Sequence, residues 1–161
     1  MSWSRAEVQA LATRAARGAG APAAQAVHFG RAAALHLARG RPASEVSQAL
    51  AALPEGPVLR LPLALQRLRR AGGGDEIDTG GLPDLARSYV ETLGMPLTIR
   101  EVSPDALIVS PTKTAPLPDP GRITGCEALI AEMTELAAHT LVPESDVSRQ
   151  AGAGAGVTDT D

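Results

Sequence analysis

Three histidines, one cysteine and a glycine-rich segment near the carboxyl end are the residues of this sequence best suited to chemistry. His28 and His36 lie eight positions apart on one expected helix, about 12 Å along its axis, too far to share a metal ion. His139 follows Glu135 by four positions, so the two side chains can meet on one helical face. A carboxylate–imidazole pair suits metal ligation or general-base work, and the same pair is equally at home on a solvated surface. Cys126 falls at the start of an expected helix, where the dipole can lower a thiol pKa. No basic residue adjoins it in sequence, and it reads as a plain buried cysteine. No metal site and no cofactor site assemble from these types and spacings.

The segment Gly152-Ala153-Gly154-Ala155-Gly156 has the composition of a phosphate loop but not its context. Such a loop needs a following helix whose amino-terminal N–H groups hold the phosphate. Only Val157 to Asp161 follow, with no Lys-Ser/Thr pair after the glycines. Two readings stay open. One is a disordered end, common for termini of small residues. The other is an extended strand, nearly free of side chains, that threads a narrow groove, because glycine permits close backbone approach. In the second reading Ser148, Arg149, Gly152, Gly154, Gly156, Asp159 and Asp161 form the contact, with the two aspartates meeting a basic pocket or a cation. Glu135 and His139 are secondary candidates.

Charge is unevenly spread. Residues 1–71 carry a net +7 and residues 72–161 a net −10, leaving −3 overall and a pI near 5.6. The asymmetry can steer a partner, but mutual attraction between the halves explains it more simply. Arginines scattered around the first helices, almost no aromatic stacking groups and an acidic pI argue against nucleic-acid binding. Aromatics make up 2% of the chain, so the core must be built from Leu, Val, Ile and Ala. The single cysteine fits a reducing, cytoplasmic setting. No apolar run approaches the ~20 residues that span a bilayer, and no secretion signal is evident.

These residues must be positioned by helices first. Ser4 and Glu7 have capping-box spacing, with Trp3 and Val8 at the staple positions. Val8, Leu11, Ala12 and Ala15 form one apolar stripe, expected to end near Gly18 or Gly20. Pro22 suits the first turn of a second, alanine-rich helix reaching Arg39, and the pair should form a hairpin. A third helix is expected over Ser44–Leu53 and a fourth over Pro62–Arg70. Gly72 to Gly74 and the acids after them predict a mobile loop at about 71–82. Pro83–Leu93 reads as a fifth helix. Leu97–Val102 and Leu107–Val109 flank a type I turn and predict a β-hairpin. A second capping box, Thr124 and Glu127, opens the last helix.

The run Thr140-Leu141-Val142-Pro143-Glu144-Ser145, then Ser148-Arg149 and Gly152 to Asp161, resembles the closing signature of a bacterial domain-of-unknown-function family, family 3726. The opening, Glu7 to Ala12 and Ala15 to Gly20, is also similar to it. The chain departs from that family at Ala21-Pro22-Ala23-Ala24, where the family carries an aromatic residue, and in a shorter middle between Leu53 and Gly81. The resemblance implies that the tail is a family feature, ordered or bound to a partner. It implies no substrate, cofactor or catalytic residue.

The expected fold is therefore α+β: a helical amino-terminal half, one β-hairpin and a long helix in the carboxyl-terminal half, and an extended tail. Residues 1–147 should form one domain and 148–161 the Gly/Ala-rich tail. The expected function is that of a non-catalytic accessory or binding protein contacting a protein partner through the tail, with self-association through the alanine-rich helices as a structural option. The alternative is a small enzyme with a polar site formed by the tail and last helix.

Overall fold

The structure is a computed structural model and describes residues 1–140. Six helices and two small antiparallel sheets make an α+β fold with its helices concentrated in the first half. In chain order the elements are β1 (Ser2–Trp3), α1 (Arg5–Gly18), α2 (Ala23–Ala38), α3 (Ala43–Ala51), α4 (Pro57–Arg70), β2 (Asp75–Asp78), α5 (Pro83–Glu91), β3 (Leu97–Ser103), β4 (Ala106–Pro111), β5 (Ile123–Thr124) and α6 (Glu127–Ala138).

Local sequence sets several of these boundaries. The Glu7 N–H donates to Ser4 Oγ at 3.2 Å and the Ser4 N–H donates to Glu7 Oε2 at 2.7 Å, so the first capping box forms as read. Hydrogen bonding to Ser4, chiefly from its backbone N–H, holds the Glu7 carboxyl below its usual pKa. Pro22 precedes the second helix as its N-cap, one residue outside the expected position.

Three expectations need correction. Helix α4 begins at Pro57, five residues before the expected start, and runs through Pro62. Pro62 removes one helical N–H, but it is buried, as are Leu61 and Leu65 of the same helix, and the helix continues through it. The expected loop at 71–82 holds strand β2, which pairs antiparallel with β4 and buries Ile77. The hairpin of β3 and β4 thus becomes a three-stranded sheet in the order β2-β4-β3. The second capping box does not form. Thr124 lies in β5, Cys126 is the N-cap of α6 without a side-chain bond, and Glu127 pairs with the amino terminus at 3.3 Å.

The core is one continuous cluster of buried residues drawn from all six helices and the sheet. Its scarcity of aromatics is met by close backbone approach. A Cβ built on Gly30 of α2 would stand 2.1 Å from Thr13 Oγ1 and 2.7 Å from the Gln9 carbonyl oxygen of α1. One built on Gly18 of α1 would stand 1.8 Å from the Leu136 carbonyl oxygen of α6. Helix α1 is therefore seated against both neighbours at positions where no side chain fits. Phe29 and Tyr89, both wholly buried, fill the largest volumes.

Basic and acidic halves meet in this arrangement. Arg5 pairs with Asp119, Arg39 and Arg41 with Glu91, Arg60 with Asp78 and Arg67 with Asp75. Each pair joins a first-half arginine to a second-half carboxylate.

Candidate functional site: an arginine-lined cavity

Helices α1, α2 and α5, strand β3 and the proline-rich segment after β4 enclose a cavity of about 480 Å³. That volume falls in the range of small-molecule sites. Helix α2 contributes Arg31 and Leu35, and its C-cap residue contributes Arg39, the three spaced four apart and so on one side. Helix α5 contributes Arg87, Val90 and Glu91, and β3 contributes Leu97, Thr98 and Ile99. Arg5 and Gln9 enter from α1, and Thr112, Thr114, Leu117 and Asp119 from the proline-rich side.

Four arginines and two carboxylates line this space, and the carboxylates are already committed. Asp119 lies 2.5 Å from Arg5 Nη1. Glu91 is shared by two guanidinium groups: Arg41 Nη2 is 2.5 Å from Oε1 and Arg39 Nε is 3.5 Å from Oε2. Arg87 Nη1 donates to the Ile99 carbonyl at 3.3 Å, tying α5 to β3, and its Nε is 4.0 Å from Asp84. Arg31 is exposed and makes no ion pair among the described residues.

Three buried polar atoms of the lining residues also lack a hydrogen-bond partner among the described residues: Arg5 Nε, Arg39 Nε and Glu91 Oε2. Arg39 Nε and Glu91 Oε2 face each other at 3.5 Å, so this contact is held by charge rather than by a hydrogen bond. The remaining orphan is the Tyr89 hydroxyl, whose burial raises its pKa.

A buried polar network stands behind the cavity wall. His36 Nε2 lies 2.8 Å from the Pro42 carbonyl oxygen, which can only accept, so Nε2 carries the proton. Nδ1 is then the acceptor, 3.1 Å from Ser88 Oγ. The Ser88 hydroxyl can donate to Nδ1 or to the Asp84 carbonyl at 2.8 Å, and it accepts from Arg41 Nη1 at 2.6 Å. Burial holds the His36 pKa below its ordinary value and keeps the ring neutral. A serine bonded to a histidine invites comparison with a nucleophile and its base. Here both residues are fully buried, so a substrate has no route to the oxygen. The network instead anchors Arg41, which orients Glu91 and through it Arg39.

Helix α5 is itself held from outside. Leu82 caps it without a side-chain bond and Pro83 lacks an N–H. Glu45 of α3 supplies the missing acceptor, taking the Leu85 N–H at 2.6 Å. Burial raises the Glu45 pKa despite this bond.

The residues singled out from sequence do not gather here. Glu135 and His139 are both exposed, with no hydrogen bond or ion pair to each other. Ser148, Arg149, Gly152, Gly154, Gly156, Asp159 and Asp161 lie outside the described residues. Cys126 is buried, and burial together with Glu127 pushes its thiol pKa up, away from reactivity. Among the described residues no cluster of three His, Cys, Asp or Glu side chains could hold a metal ion. No helix among them is long and apolar enough to cross a membrane.

Sequence reasoning missed the cavity because its arginines come from positions 5, 31, 39 and 87 and read as scattered. The one local signal is the Arg31-Leu35-Arg39 stripe on an otherwise alanine-rich helix. Comparisons of the chain with family models, with curated proteins and with solved structures give no match.

Proposed function

We propose that this chain is a non-catalytic binding protein whose cavity takes a small organic anion. The observation that carries the reading is the excess of guanidinium over carboxylate around a space of mixed apolar and hydroxyl lining. Arg5, Arg31, Arg39 and Arg87 line it with only Glu91 and Asp119, Arg87 having Asp84 at 4.0 Å outside the lining, while Leu35, Val90, Met95, Leu97, Ile99 and Leu117 supply apolar surface. Guanidinium groups match carboxylates in geometry and are weakly hydrated, so they suit a partly buried anion site. The carboxylates that line it, Asp119 and Glu91, are each engaged by arginine, and no histidine or cysteine lines it among the described residues, which favours binding over turnover.

The test is thermal melting of the full chain with suberate, an aliphatic dicarboxylate, against the variant Ile99→Trp. The indole would occupy the cavity from a half-buried strand position that tolerates aromatic residues. Suberate should raise the melting temperature of the wild type and not that of the variant. Equal shifts, or none in the wild type, would count against the reading.

The tail belongs to the same proposal as a contact for a protein partner. Its support is the resemblance of Ser148-Arg149 and Gly152 to Asp161 to a family's closing signature. A cytoplasmic setting is supported by the lone, buried Cys126.

A further inference from the structure

We infer, building on the reading of the cavity as an organic-anion site, that its ligand is a linear dicarboxylate held at one end by Arg31 and at the other by the Arg39–Arg41–Glu91 group. The inference rests on where positive charge is left uncompensated. Arg5 is neutralised by Asp119 at 2.5 Å. Glu91 carries one negative charge between Arg39 and Arg41, so that group retains one net positive charge. Arg31 carries a second positive charge with no ion pair among the described residues.

The backbone spacing of the two arginines sets the scale of the ligand. Arg31 in α2 and Arg39 at its C-cap are eight residues apart, about 12 Å along the axis at 1.5 Å per residue. Leu35 stands between them on the same face, 5% exposed, and Ile99 and Val90 also line the cavity. An aliphatic chain suits these apolar residues, and each terminal carboxylate can accept two parallel N–H bonds from a guanidinium. A monocarboxylate of the same length leaves one centre unmatched.

A double-mutant cycle in the full-length chain tests this, with one change in the protein and one in the ligand. The ligands are suberate and octanoate, and the protein change is Arg31→Ala. Isothermal titration calorimetry reads affinity, and circular dichroism checks the fold. Because Arg31 is exposed, its pairing is expected to contribute modestly, about fivefold in affinity. Suberate should bind the wild type about fivefold more tightly than octanoate does. Arg31→Ala should bring suberate down to the octanoate level and leave octanoate within about twofold. Equal affinities for the two acids in the wild type, or equal losses on substitution, would overturn the dicarboxylate assignment while leaving the anion site intact. Failure of both acids to bind would overturn the assignment and the anion site together.

Discussion

Arg39, the C-cap of α2, meets Glu91 of α5 with Nε and Oε2 3.5 Å apart, and neither atom has a hydrogen bond among the described residues although both are shielded from solvent. The carboxylate is drawn toward Arg41, whose Nη2 is 2.5 Å from the other oxygen. Arg41 is in turn fixed by Ser88, and Ser88 by His36. A chain of buried contacts thus sets how far Arg39 is neutralised, and so how much of its charge the cavity presents.

Replacing Glu91 with Gln keeps the shape and removes the charge that two arginines share. The side chains of Arg39, Arg41 and Glu91 are between 13% and 19% exposed, so the loss should exceed that of a surface pair and fall short of a fully buried one. Destabilisation of about 2 kcal/mol is expected in urea unfolding. A change no larger than that of an exposed pair would show that the group is not structural.

Gly30→Ala should destabilise the chain by about 1–3 kcal/mol, the range for overpacking a tight contact. Adding Thr13→Ala should not restore stability. The hydroxyl would be gone, but the Gln9 carbonyl oxygen would still stand 2.7 Å from the new Cβ. Full rescue by the second substitution would place the obstruction in the side chain and not in the backbone.

Stability should fall as pH drops below about 6.5, the ordinary histidine pKa. Burial depresses the His36 pKa in the folded state, so between the folded and unfolded values the unfolded chain binds more protons. The stabilisation is present above the unfolded value and is lost as pH falls through the window. Arg41 beside the ring also disfavours its charged form. Glu45 acts with the opposite sign, because its raised pKa makes the folded chain the better proton binder above the usual carboxylate value. Comparing denaturation midpoints of wild type and His36→Gln between pH 5 and 8 separates the two. The wild type should show the steeper loss toward acid, and identical slopes would remove His36 from the account.

Deleting residues 150–161 should leave the melting temperature of the domain unchanged and abolish co-purification of a protein partner. Undiminished recovery of the partner from a normally folded truncation would contradict the tail as a contact.

Much of the fold was legible locally. The Ser4–Glu7 capping box, the alanine-rich hairpin and the turn at Ser103 to Ala106 are short-range features, and each lies where its residues indicate. The misreadings came from longer-range effects. Pro62 reads as a helix start, yet it is buried within a helix that begins five residues earlier at Pro57. Strand β2 offers only Ile77 as an apolar signal and exists because β4 pairs with it. Glu127 has the spacing of a cap, yet the amino terminus claims its carboxylate. The charge asymmetry did foretell arginine–carboxylate pairing between the halves. It did not indicate that Arg31 would lack a carboxylate partner among the described residues, which depends on where distant elements converge.

The cavity as an anion site is tested most directly by calorimetric titration of suberate into the full chain and into Ile99→Trp. One saturable site in the wild type, lost in a variant that remains folded, is the expected result. No saturable heat in the wild type, or the same affinity in the variant, would contradict it.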